Sequence, residues 1–224
     1  MRRDMKSRSD HVRNPLPGFI TALFFLAAFT VFTVMVMRYD VQDIGFNGAP
    51  VGFATLNGAV HGLFPYDEGC FTISEYIGYF CLGIAGVNAL IAFIDFLKAR
   101  GFRHMHRRYI LTMVLYAVVV GAYVLFEFYE VNERPVAAEA SYPSSHTLLA
   151  LCVLYSEIVL LGHSAKRVRV WADILRMLFV ALMVAMVFMR LLSGVHWLTD
   201  ICGSILLSLS LCTMYGTFVR SFDP

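Results

Sequence analysis

Long apolar runs broken by short polar intervals dominate the chain. Phe19 to Met37, Tyr76 to Ile94, Tyr109 to Phe126 and Ile201 to Val219 carry no charged residue. A helix rising about 1.5 Å per residue crosses a hydrocarbon core of about 30 Å in roughly 20 residues, so each run predicts a membrane-spanning helix. Two further runs are less clean. Ser144 to Leu161 contains Glu157, and Trp171 to Met189 is free of charge only after Arg176, which lies three residues beyond Asp173 at a spacing that permits a helical ion pair. The pattern predicts an all-α fold, a bundle of six transmembrane helices forming one integral-membrane domain over residues 1–224.

Composition agrees with lipid as the solvent. Of the 224 residues 58% are hydrophobic and only 15% are charged, which excludes an ordinary soluble domain and a disordered chain. A formal net charge of +2 gives no argument for a nucleic-acid partner. The five cysteines have no ligand-like spacing and read as packing residues. The first run follows a basic stretch, but it is too long for a typical signal-peptide core and no small-residue cleavage site follows, so it is expected to be a retained helix.

The basic residues set the orientation. Fifteen of the 18 fall in the N-terminus, the 98–108 connection, the 166–176 region and the tail; only Arg38, Arg134 and Arg190 fall on the other side. Loops rich in lysine and arginine stay cytoplasmic, so both termini are expected inside. The expected location is a cell membrane, plasma or inner, with the opposite face toward the exterior or periplasm. The longest outer connection, Arg38 to Cys70, is glycine-rich and partly apolar, and reads as an ordinary capping loop with a possible place near a substrate entrance.

The polar residues left unexplained by packing gather at the outer ends of the last four spans. Pro143-Ser144-Ser145-His146 precedes an apolar run as a helix start should, and free backbone N–H groups there form an anion site. His196 and Asp200 are four apart, so on a helix the carboxylate can hold the imidazole by one ring nitrogen and leave the other free as a nucleophile or base. Arg134 and Arg190 can grip a phosphoryl group with their guanidinium forks. Each motif has a plain alternative: a helix cap, a helix-end hydrogen bond, an anchor to lipid headgroups.

Together the motifs resemble the type 2 phosphatidic acid phosphatase superfamily, which includes lipid phosphate phosphatases and vanadium haloperoxidases. Its pattern is Lys-x6-Arg-Pro, Pro-Ser-Gly-His and Ser-Arg-x5-His-x3-Asp. Eight of those eleven residues are present: Arg134, Pro135, Pro143, Ser144, His146, Arg190, His196 and Asp200. The resemblance implies a catalytic core at about 127–200 and phosphoester hydrolysis through a phosphohistidine. His196 would be the nucleophile, Asp200 would orient it, and His146 would protonate the leaving oxygen. Arg134, Arg190, Ser144 and Ser145 would bind phosphate. No cofactor is implied, and no metal, although His146, His196 and Asp200 could be imagined as a ligand set. The implied partner is a phosphorylated lipid in the membrane: phosphatidate, phosphatidylglycerol phosphate or a polyprenyl diphosphate.

Three positions depart from the pattern. Ser145 replaces glycine, Met189 replaces the serine before Arg190, and Glu127 stands where the family has lysine. A carboxylate beside a phosphate repels it, so Glu127 keeps open a catalytically silent lipid-phosphate binder; a phosphotransferase using the same phosphohistidine is the other alternative. Arg38 is a candidate replacement for the missing lysine. Glu157, about 16 Å deeper than His146 along a helix, reads as an internal hydrogen-bonding group, with a transporter role as its rival.

Overall fold

The computed structural model describes residues 14–162 and 166–222; the expected N-terminal basic cluster lies outside them. Every element of substance is helical: α1 Leu16–Arg38, α2 Ala54–Leu63, α3 Glu68–Ala99, α4 Arg107–Phe128, α5 Ser145–Leu161, α6 Arg169–Leu192 and α7 Leu198–Phe222. Five of them, α1, α3, α4, α6 and α7, are long and apolar enough to cross a membrane. The expected sixth span, α5, is a shorter apolar helix of 17 residues, or about 26 Å.

Burial explains why α5 and α7 differ from the rest. In the most apolar window of α7 56% of residues are buried, against 17% in each of the other four long helices. Much of α5 is enclosed as well, including Leu148, Leu151, Cys152, Val153 and Leu154. These two helices form the centre, while α1, α3, α4 and α6 pack around them and turn apolar faces such as Phe24, Leu90, Val120 and Val180 outward. Leucine and phenylalanine exposed in this number fit hydrocarbon and not water. The Asp173–Arg176 pair forms at 3.2 Å, as its spacing predicts.

Polar residues of α3, α4 and α5 pair inside the bundle. Glu157 accepts from Asn88 Nδ2 at 2.5 Å; the same amide donates to the Tyr116 hydroxyl, which lies 2.9 Å from Ser156 Oγ. The hydrogen-bonding role expected of Glu157 therefore has a specific partner on α3, Asn88, within a network that joins α3, α4 and α5, and leaving any of these groups unmatched in an apolar interior would cost free energy.

The 39–67 connection is more than a cap. It holds the antiparallel bridge Gln42 to Val51 and the helix α2. Asn57 Nδ2 donates to Gly52 O and Thr199 Oγ1, its Oδ1 accepts from Thr199 N, and Gly52 N donates to Asn132 Oδ1. Asp67 caps α3 by accepting from Cys70 N, a bond that lowers its pKa, while its own N–H donates to Ser193 O. Gly194 has φ +64°, and a Cβ there would meet the Pro65 carbonyl carbon at 2.7 Å. The connection thus clamps the turn from α6 into α7, which carries His196.

Candidate active site

Three chain segments converge at one end of the bundle: the 132–146 stretch leading into α5, the α6–α7 turn, and the first turns of α3. Tyr142 anchors the first. Its ring is almost fully buried between Phe29 of α1 and Phe126 of α4, it lies against Gly203 of α7, and its hydroxyl pairs with Thr33 Oγ1 at 2.8 Å. Burial raises the pKa of that hydroxyl. Ser144 N donates to Asp200 O, and Ser204 Oγ lies 2.9 Å from the carbonyl oxygens of both Ser144 and Asp200. The starts of α5 and α7 are thereby tied together.

Asp200 is completely buried and fully engaged. Its Oδ1 accepts from Asn132 Nδ2 at 3.3 Å, and its Oδ2 accepts from Trp197 N at 2.9 Å and from Ser141 Oγ. The bond from Trp197 is the back-reach of an acidic residue in a first helical turn to the N–H just before the helix, a capping interaction that also suits the positive helix end.

The expected direct contact between His196 and Asp200 is corrected here. His196 Nδ1 is 3.6 Å from Asp200 Oδ2, beyond hydrogen-bond reach. Ser141 Oγ sits between them, 3.0 Å from Nδ1, and spends its proton on Asp200. It therefore accepts from Nδ1–H, which assigns the proton of His196 to Nδ1 and leaves Nε2 with its lone pair. The i, i+4 spacing assumed helix at both positions, whereas His196 lies in the turn before α7.

His196 Nε2 is buried without a hydrogen-bond partner, as are Arg134 Nε and Arg190 Nε. Burial is the main force lowering the pKa of His196, with the Arg190 and Arg134 charges adding to it, so the ring is neutral at neutral pH. A cavity of about 520 Å³ is lined by His196, His146, Ser145, Ser141 and Arg134, with Glu127 and Glu139 also on its wall. Its remaining wall is apolar: Leu82 of α3, Val119, Val120, Tyr123 and Phe126 of α4, and Leu148 and Leu149 of α5. Leu82, Val120 and Tyr123 are exposed on the outside of the bundle, so this wall continues to the lipid-facing surface between α3 and α4.

The other expected residues divide. Arg134 pairs with Glu139 at 3.0 Å on the cavity wall. Arg190 is completely buried beneath His146: Nη1 donates to Ser74 Oγ at 3.1 Å and Glu75 Oε1 at 2.9 Å, Nη2 donates to His146 Nδ1 at 2.8 Å, and the guanidinium stands over the Phe71 ring. Ser144 is buried, accepts from Thr147 Oγ1, and does not line the cavity, whereas Ser145 does. Glu127 is exposed at the end of α4. Arg38, at the end of α1, is exposed and does not line the cavity, which removes it as a replacement for the missing lysine. Among the described residues no group of three or more His, Cys, Asp or Glu is arranged to hold a metal ion.

Sequence reasoning missed Ser141, Asn132, Glu75 and Gly78. Ser141 and Asn132 are small polar residues in a loop, without a distinguishing pattern. Glu75 had a faint signal as a carboxylate immediately before an uncharged span. Gly78 had none, yet a Cβ there would meet His146 Cδ2 at 2.6 Å, so the ring packs directly on the α3 backbone.

Fold and site define a helical, multi-pass membrane protein with a histidine and arginine pocket at one end of its bundle. Residues 125–222 match the family model of the PAP2 superfamily. A solved structure, that of the first transmembrane PAP2 type phosphatidylglycerolphosphate phosphatase from Bacillus subtilis, has a TM-score of 0.65 with 15% identity over 91% of this chain and 98% of that one. At that identity the likeness is one of fold. No curated protein sequence matches the chain.

Proposed function

We propose that the chain is a membrane lipid phosphate phosphatase, acting on phosphomonoesters or diphosphates through a phosphohistidine at His196. The observation that carries this is the unpartnered, buried Nε2 of a neutral His196 on the wall of a cavity that also presents Arg134 and His146 and continues into an apolar trough. In the reaction Nε2 attacks phosphorus, the bond from phosphorus to the lipid oxygen breaks, and His146 gives that oxygen a proton. As Nε2 takes positive charge, Nδ1–H strengthens its bond to Ser141 and, through it, to Asp200. Water then attacks the phosphohistidine, with His146 receiving its proton. The Nε atoms of Arg134 and Arg190, with the N–H groups opening α5, suit an oxyanion whose charge redistributes in the transition state.

The apolar trough suits an acyl or prenyl chain, and phosphatidate, phosphatidylglycerol phosphate and a polyprenyl diphosphate all fit that description. We read α5 as the sixth span, both termini as cytoplasmic, the pocket as facing the exterior or periplasm of a plasma or inner membrane, and residues 127–200 as the catalytic core of a single domain.

The test is phosphate release from detergent-dispersed lipid phosphates by the purified full chain, with and without vanadate and chelator. Vanadate should inhibit, chelator should not, and His196→Ala should abolish turnover while acid-labile labelling by radioactive substrate disappears. Phosphate binding without release would favour the silent binder that Glu127 kept open. Transfer to an added acceptor lipid without release in its absence would favour the transferase.

A further inference from the structure

We propose that Glu75 is the positioning residue of His146, doing for the proton-donating imidazole what Ser141 and Asp200 do for His196; this rests on the phosphatase reading. Glu75 Oε1 lies 3.1 Å from His146 Nε2 and 2.9 Å from Arg190 Nη1, and its side chain is 20% exposed. Since Arg190 Nη2 donates to His146 Nδ1, that nitrogen is the acceptor, and the ring proton sits on Nε2 facing Glu75. Gly78, one turn beyond Glu75, lets the ring lie against the α3 backbone. Both ring nitrogens are thus assigned: Nε2–H to the carboxylate, and Nδ1 to the guanidinium.

That assignment identifies the working nitrogen. A phosphoryl oxygen that accepts from Arg190 Nη2 takes that N–H away from His146 Nδ1 and brings the bridging oxygen to the nitrogen so freed. With Nη2 turned to the phosphoryl group, His146 carries protons on both nitrogens in the donating state, and Glu75 accepts from Nε2–H and balances the imidazolium charge. As the bond from phosphorus to the lipid oxygen breaks, the Nδ1 proton passes to that oxygen. The ring returns to the neutral Nε2–H form described above, ready to take a proton from the attacking water at Nδ1. Glu75 neither gains nor loses a proton. Its contribution is to keep Nε2 from being the donor and to supply the counter-charge that makes Nδ1 competent.

A buried Arg190 also needs Glu75 as a partner, so loss of activity alone does not separate the two roles. The leaving group does. An alkyl phosphate expels a strongly basic alkoxide and depends on a proton; p-nitrophenyl phosphate expels a weakly basic phenolate and does not. The experiment compares the full-length wild type with Glu75→Gln, His146→Ala and His196→Ala on a long-chain alkyl phosphate and on p-nitrophenyl phosphate. Glu75→Gln should lower the ratio of alkyl to aryl turnover at least about tenfold, within the range of general acid catalysis, and His146→Ala should lower it further. Glu75→Asp keeps the charge but shortens the reach; it should show the same direction of change and serves if the glutamine variant does not fold. A ratio unchanged in folded Glu75 variants, with both substrates slowed equally, would overturn the proposal and leave Arg190 support as the role. A wild type inactive on both substrates, or a fully active His196→Ala, would overturn the phosphatase reading itself.

Discussion

His196 and Asp200 do not touch: the ring nitrogen and the carboxylate oxygen are 3.6 Å apart, with the Ser141 hydroxyl bonded to both. The orientation of the imidazole therefore depends on a residue from the α4–α5 connection. Replacing Ser141 with alanine leaves Nδ1–H and a buried carboxylate oxygen each short of a partner. Turnover should fall about tenfold to a hundredfold, consistent with the loss of a buried polar partner, with KM little changed. Ser141→Thr, which retains the hydroxyl, should recover most of it. Steady-state kinetics on one lipid phosphate checks both.

The burial of neutral His196 has a signature in stability. Its folded pKa lies below the ordinary value, so as pH falls through about 6.5 the unfolded chain takes up a proton that the folded site refuses. Unfolding then gains free energy on the acid side, and none above that pH, where both states are neutral at this residue. Thermal unfolding between pH 5 and 7.5 should show a smaller acid-side drop in Tm for His196→Gln than for the wild type. Parallel curves would contradict the shift.

Glu127 shares a cavity with Arg134 and His146 but sits exposed at its rim. Reversing the charge with Glu127→Lys should raise kcat/KM about threefold to tenfold at low salt, and added salt should erase the gain because rim charges are screened. A loss of activity would mean that the carboxylate has its own role in binding.

The apolar wall predicts chain-length selectivity. Val120 lines the cavity and is also exposed on the outer face of α4. Val120→Trp should narrow the trough and raise KM several-fold for long-chain phosphates while leaving a short, water-soluble phosphate ester unaffected. Equal effects on both would argue against a lipid chain lying there.

Gly78 gives a steric test of His146. In Gly78→Ala the new methyl group would fall 2.6 Å from the imidazole, a distance at which either ring or helix must shift. Turnover should drop at least about tenfold, as a displaced general acid implies, while the protein stays folded and monodisperse by size-exclusion chromatography.

The spans, the clustering of basic residues and the two histidine motifs were legible in the sequence because each is a local property. A bilayer demands uninterrupted apolar length, and the histidine and arginine motifs stand at helix ends that are few and close in sequence. The same logic gave α5 as one more span, whereas tertiary burial allows that helix to be shorter than its neighbours. It also reduced the 39–67 connection to a cap, because its hydrogen bonds to Asn132, Ser193 and Thr199 join residues scarcely related by spacing.

What the sequence determined by itself was the class of solvent, the places of the five long apolar helices and the histidine and arginine motifs at helix ends. Only the tertiary structure decided which atoms of those groups remain available. The nitrogen of His196 left free, the serine inserted between it and Asp200, and the glutamate behind His146 all depend on side chains from different helices meeting within about 3 Å, the reach of a hydrogen bond. Such meetings are fixed by packing across the bundle, through contacts like those of Tyr142 and Gly78, and no periodicity along the chain encodes them.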